Sequence, residues 1–188
     1  MHFVCTGNIC RSPFCQAYLA SKLTSPELFS VDSSGMFVLE ERPVAHAMRT
    51  LIKEFANTNE FEHKSTQANS ASLASKDLIV CLTRDHRSAV LEECPGAFAR
   101  TFTLIEIGRL IASAQADGIG LPADGTAKER LRKFVRQLGQ RRSLVDKLEK
   151  PELEDIKDPY RLSDEIYREA ATDMIVPLDI LARVLNQL

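Results

Sequence analysis

Five apolar residues in unbroken succession, Leu78-Ile79-Val80-Cys81-Leu82, constrain this chain more than any other segment. A strand with one face in water alternates apolar and polar side chains, so a run without alternation reads as a central strand covered on both faces, as in a parallel sheet. Parallel strands need crossover connections, usually helices, and the remaining sequence supplies them. Phe3-Val4-Cys5, Phe29-Ser30-Val31-Asp32 and Phe102-Thr103-Leu104 are further short strand candidates. Apolar residues recur at helical spacing at Phe14, Tyr18, Leu19 and Leu23, with Ser12 suited to an N-cap and Pro13 to a first turn. A second stripe, Val44, Met48, Leu51, Ile52 and Phe55, begins near Pro43, and a third follows at Ile107, Leu110 and Ile111. The expected class is α/β: a parallel sheet with helices packed on both faces.

The 188 residues, 44% hydrophobic and 27% charged, suit one globular domain spanning residues 1–188. Residues 116–150 differ in character and read as an insertion. A loop at Gly118-Ile119-Gly120-Leu121-Pro122 leads into helical spacing at Leu131, Phe134, Val135 and Leu138, interrupted at Gly139, which predicts a helical pair. Residues 128–150 hold nine basic side chains against three acidic ones. Either these cations are the solvated face of that pair, or they attract an acidic partner such as a phosphoprotein. A last helix is expected from about Ser163, kinked at Pro177.

The net charge of -2 provides no general attraction for nucleic acid or anionic membrane, and no apolar run reaches the roughly 18 residues of a membrane span. Neither is an expected partner. The first residues lack the basic and long apolar regions of a signal peptide, so the expectation is a cytoplasmic protein, by default a monomer. Five cysteines without metal-ligand spacing make a poor disulfide framework in a reducing compartment, which leaves room for a reactive thiol.

That thiol has a candidate in Cys5-Thr6-Gly7-Asn8-Ile9-Cys10-Arg11-Ser12, which lies between a strand and a helix start. A loop entering a helix N-terminus aims unpaired N–H groups at one spot, where the helix dipole favours an anion. Gly7 allows close backbone approach, and Asn8 tolerates the left-handed conformation that folds a loop into a ring of donors. Arg11 offers a planar fork to phosphate oxygens. The same donors favour the thiolate of Cys5, the nucleophilic form. The competing reading is a core cysteine at a strand end beside a surface arginine.

Val4-Cys5-Thr6-Gly7-Asn8-Ile9-Cys10-Arg11-Ser12-Pro13 resembles the signature of the low-molecular-weight protein tyrosine phosphatases, and Asp158-Pro159-Tyr160 resembles that family's second motif. Ser33-Ser34-Gly35 is similar to its Ser-Ala-Gly turn, and His63 with Gln67 to its His-x-x-x-Gln segment. The resemblance covers residues 1 to about 111 and 155–188. It implies a flavodoxin-like three-layer sandwich with strand order 2-1-3-4 and a cysteine-dependent phosphatase that uses no metal and no cofactor.

In the mechanism so implied, Cys5 attacks phosphorus, and residues 6–12 (Thr6, Gly7, Asn8, Ile9, Cys10, Arg11, Ser12) hold the phosphate. Asp158 protonates the leaving oxygen, although local sequence alone reads it as a turn-initiating Asp before Pro. Ser12, Ser33 and His63 support the loop, with an uninvolved loop histidine as the alternative for His63. Cys10 is either a reversible disulfide partner for Cys5 or a packing residue. Among relatives with the same cradle, arsenate reductases need two redox cysteines soon after the third strand, where this chain has Cys81 inside the strand and then Thr83. Protein-arginine phosphatases carry Thr where Ile9 stands. Ile9 with Tyr160 suits a flat phosphotyrosine ring on a protein substrate, and Leu39 or Phe37 is the candidate for the other wall. A non-catalytic phosphopeptide-binding module is the alternative from another class, but simple binding requires neither a thiol nor an acid.

Overall fold

The computed structural model describes residues 1–58 and 61–188. Its centre is a sheet of four parallel strands in the order β2-β1-β3-β4, formed by β1 (His2–Cys5), β2 (Asp32–Gly35), β3 (Ile79–Cys81) and β4 (Thr101–Thr103). Helices α1 (Arg11–Lys22), α2 (His46–Ala56), α3 (Ser70–Ala74), α4 (Arg84–Glu93), α5 (Leu104–Ala116), α6 (Ala127–Arg141) and α7 (Asp164–Leu185) surround it. Side chains alternate across the sheet, so each face carries its own core. Phe3, Val80 and Phe102 join the larger cluster with residues of α1, α2, α5, α6 and α7. Val4, Ile79 and Cys81 join the smaller one with Leu73 of α3 and Val90 of α4. Leu78 and Leu82 flank β3 and are fully buried, which explains the unbroken run.

The second strand lies three residues downstream of the expected Phe29-to-Asp32 run. Its sequence, Asp-Ser-Ser-Gly, is polar, yet it pairs with β1 in register from His2↔Asp32 to Cys5↔Gly35. Side-chain partners make this possible. His2 bonds Asp32 Oδ1 and Ser34 Oγ, each at 2.6 Å, so the buried hydroxyl and the half-buried carboxylate both have partners. Residues 33–35 are therefore strand, not turn.

The second helix begins at His46 because residues 43–45 are held out of it: Ala45 is extended and its N–H donates to the Ile9 carbonyl at 2.8 Å. The insertion forms one helix where a pair was expected. Gly139 does not interrupt α6; a Cβ there would come within 2.9 Å of the Ala99 carbonyl, so glycine allows the helix to pack against the 3-10 turn Pro95–Arg100. Leu131, Phe134, Val135 and Leu138 of α6 belong to the larger core. The last helix runs through Pro177 without a break. Among the described residues, no helix is long and apolar enough to cross a membrane.

Candidate active site

Cys5 ends β1, and residues 6–10 curl around its sulfur before α1 starts at Arg11. Ser12 does not cap that helix; Cys10 holds the N-cap position and its side chain makes no capping bond. The hydroxyl of Ser12 lies instead 3.0 Å from Cys5 Sγ. It also accepts from Asn8 Nδ2 at 2.9 Å, and its own proton lies within reach of both the sulfur and the Ser34 carbonyl, the latter at 3.4 Å.

Asn8 is the centre of the loop. It is fully buried with a left-handed φ of 54°, a conformation asparagine tolerates. Every polar atom of its side chain is used: Nδ2 also donates to Ser33 Oγ at 2.9 Å, and Oδ1 accepts from the Thr66 N–H at 2.9 Å. Its carbonyl accepts from His63 Nε2 at 2.8 Å, so the proton of that ring is on Nε2. Burial lowers the His63 pKa, against the opposing pull of this bond to the Asn8 carbonyl. Ser33 passes the network on to Gln16 at 2.7 Å. Ser12, Ser33 and His63 thus converge on the loop.

The glycine that the geometry demands is Gly35, not Gly7. A Cβ on Gly7 would meet only Ile9 Cγ1 at 3.8 Å, an ordinary contact, whereas one on Gly35 would lie 2.4 Å from the Thr6 carbonyl and 3.0 Å from Asn8 N.

Arg11 is 3% exposed and reaches from α1 across the cradle. Its Nη1 donates to the Ile156 carbonyl at 2.9 Å, and its Nη2 pairs with Asp158 Oδ2 at 2.7 Å. Arg11 Nε is buried without a partner among the described residues. Asp158 makes the turn contact of its local sequence, Oδ1 accepting from the Tyr160 N–H at 3.2 Å, while Oδ2 faces the arginine at the cradle. The segment carrying it is pinned by the Ile156 N–H, which donates to the Leu82 carbonyl at 2.8 Å.

These groups open into a cavity of about 300 Å³ lined by Cys5, Ile9, Arg11, Phe37, Asp158 and Tyr160, with Leu39 at its rim. Leu39 is fully exposed and Phe37 is 65% exposed, and both line the cavity. Gln67 holds this loop: Nε2 donates to the Met36 carbonyl and Oε1 accepts from the Val38 N–H, both at 2.8 Å. Arg42 Nη1 lies 3.3 Å from the Tyr160 hydroxyl.

Cys10 also lines the cavity, with its sulfur 3.7 Å from the Tyr167 hydroxyl. Burial pushes its thiol up to about 12. Cys15, Cys81 and Cys94 are buried free thiols, and Cys81 has no access to the cradle from inside β3. In the basic segment, four cations are committed to the fold. Lys128 and Arg132 pair with Asp77, Arg141 with Asp117, and Arg142 with Glu106.

Two contributors have no signal in local sequence. His86 enters from α4, its Nε2 2.8 Å from Thr6 Oγ1. Arg84 binds Asp155, close to the proposed acid. Their partners lie 80 and 71 residues away, where no spacing rule operates.

The geometry has counterparts in known proteins. A family model described as low molecular weight phosphotyrosine protein phosphatase matches residues 1–117. A protein-arginine-phosphatase of Geobacillus stearothermophilus is 30% identical over 142 residues, 74% of this chain and 93% of that protein. One from Bacillus subtilis is 30% identical over 106 residues, 55% of this chain and 69% of that protein. Among solved structures, the arginine phosphatase of G. stearothermophilus superposes with a TM-score of 0.64 at 26% identity, covering 99% of this chain and 92% of that one. The tyrosine phosphatase Wzb of Escherichia coli K30, in complex with phosphate, gives 0.62 at 19% identity over 97% of this chain and 94% of that one, a likeness of fold. With the sheet order, the loop around Cys5 and these matches together, the chain belongs to the low molecular weight phosphotyrosine protein phosphatase family.

Proposed function

We propose that this phosphatase hydrolyses phosphotyrosine on proteins through a phosphocysteine intermediate. The observation that carries the reading is the cavity itself: Cys5 at its floor, Arg11 and Asp158 in mutual contact at 2.7 Å, and the apolar side chain of Ile9 with the Tyr160 ring along its sides. An aryl ring gains from such walls.

In this mechanism the phosphoryl dianion takes over the Arg11 donors, Nε included, together with loop amides. The Cys5 thiolate attacks phosphorus in line; the S–P bond forms as the bond from phosphorus to the aryl oxygen breaks, and that oxygen takes a proton from Asp158. Water then attacks the phosphocysteine, giving its proton to the Asp158 carboxylate, and inorganic phosphate leaves as the thiolate returns. Ser12 steadies the thiolate between turnovers, consistent with its 3.0 Å contact.

A second reading is hydrolysis of phosphoarginine, favoured by the two curated relatives of that activity. Ile9 separates the readings, because an apolar side chain presents no hydrogen-bonding group to a guanidino substrate. Rates on phosphotyrosine and phosphoarginine peptides, with Cys5→Ser as control, decide between them. The expected result is preference for phosphotyrosine, loss of all turnover in Cys5→Ser, and a shift toward phosphoarginine in Ile9→Thr. A wild-type preference for phosphoarginine would replace the first reading with the second.

A further inference from the structure

We propose that His86 is a positioning residue for the phosphate-binding loop: from the first turn of α4 it fixes the Thr6 hydroxyl, and through that hydroxyl the Arg11 guanidinium, in the orientation that receives phosphoryl oxygens. This rests on the reading of Cys5 and Arg11 as the catalytic pair.

His86 is 6% exposed, and its backbone is set by the Thr83 N-cap, whose Oγ1 accepts from the His86 N–H at 3.1 Å. Its Nε2 lies 2.8 Å from Thr6 Oγ1, and the same oxygen lies 3.4 Å from Arg11 Nη2. A guanidinium can only donate, so the hydroxyl oxygen accepts from Arg11 and its single proton is available to His86 Nε2, in the tautomer that carries the ring proton on Nδ1. Nδ1 is buried and has no partner among the described residues. Leucine would fill a similar volume without burying an unpaired polar atom, so packing alone does not account for the imidazole.

The charged groups around the ring are Arg11 on α1 and Asp155 and Asp158 on the acid-bearing segment, with Arg84, Asp85 and Arg87 on its own helix. Burial, and then Arg11, push the imidazole down to about 4, against weaker opposition from the two aspartates. The ring is therefore neutral at the pH of the cell. Protonation would place a second cation beside Arg11 and convert Nε2 from acceptor to donor. The Thr6 proton would then turn away from His86, and the oxygen would be shared between two cationic donors.

The test is a double-mutant cycle on kcat for para-nitrophenyl phosphate at about pH 6, using His86→Leu, Thr6→Val and the pair. Each single change is expected to lower kcat about tenfold, and the double variant no further, because both remove one linkage. His86→Gln, whose amide oxygen accepts from the hydroxyl, should stay within about threefold of wild type. It should also lack the fall in kcat expected of wild type as pH drops through 4. Additive losses in the cycle, or full activity in His86→Leu, overturn the proposal. If His86→Leu does not fold, the comparison of His86→Gln with Thr6→Val decides it: a wild-type pH profile in His86→Gln is again negative. Cys5→Ser separates the two levels, since retained turnover there removes the site reading itself, whereas lost turnover with an additive cycle removes only the role of His86.

Discussion

Arg84 holds Asp155 with both its backbone and its side chain. The Arg84 N–H donates to Oδ1 at 2.7 Å, while Nε and Nη2 reach Oδ2 at 3.1 and 2.8 Å. Three residues after Asp155 comes Asp158, so this grip sets where the proposed acid can stand. The Asp155→Ala variant should lose about tenfold in kcat on phosphotyrosine peptides through misplacement of the acid, with little change in KM. Because the pair is partly exposed and screened by solvent, its loss should change the midpoint of chemical denaturation little. Unchanged kcat would show that Ile156 and Arg11 alone hold the segment.

Asp158→Asn should lower the rate on phosphotyrosine peptides about 10²-fold or more, the usual scale for a missing general acid. The loss should shrink with aryl phosphates whose leaving phenol is more acidic, because such a group departs without a proton. An equal loss on all leaving groups would make Asp158 a support for Arg11 and nothing more.

Gly35 and Gly139 each lie against a backbone carbonyl, and adding a methyl group at either should destabilise the fold by about 2 kcal/mol. Only one should touch catalysis. Gly35→Ala pushes on Thr6 and Asn8, so kcat should fall along with Tm; Gly139→Ala pushes on Ala99, 2.9 Å from the new Cβ and remote from the cradle, so Tm should fall alone. Equal activity in the two variants would show that the loop relaxes around an alanine at position 35.

His86 also makes a stability prediction that is independent of turnover. Its folded value of about 4 lies below the ordinary 6.5, so between the two the unfolded chain binds the extra proton. Stability from this group is complete above pH 6.5 and declines as pH falls toward 4, by about 3 kcal/mol in all. In urea titrations, His86→Gln should show a smaller decline over this window than wild type. Parallel curves would mean that the ring is charged, or free to leave its site, in the native protein.

The cradle was legible because its chemistry is local: a sulfur, a ring-forming asparagine and a guanidinium fall within seven residues, from Cys5 to Arg11, between a strand and a helix. The sheet was legible from apolar runs, except where a strand is made of polar residues that find buried partners. His2 supplies those partners to Asp32 and Ser34, and nothing in the 32–35 segment itself announces them. Asp158 drew its role only from a resemblance, since the local sequence describes a turn, which it also makes. Gly139 was misread because a glycine in a helix signals a break unless the neighbouring backbone is known. His86 and the Arg84–Asp155 pair were not legible at all, because they exist only once β3 has brought α4 beside both the loop and the acid.

The use of every polar atom of Asn8 has a consequence for the newly made chain. Its partners lie 25 residues downstream at Ser33, 55 at His63 and 58 at Thr66, so the loop gains its working curvature only after those stretches have docked. The ring around the Cys5 sulfur therefore depends on three distant stretches at once, and local opening of any one of them removes a contact that holds the loop.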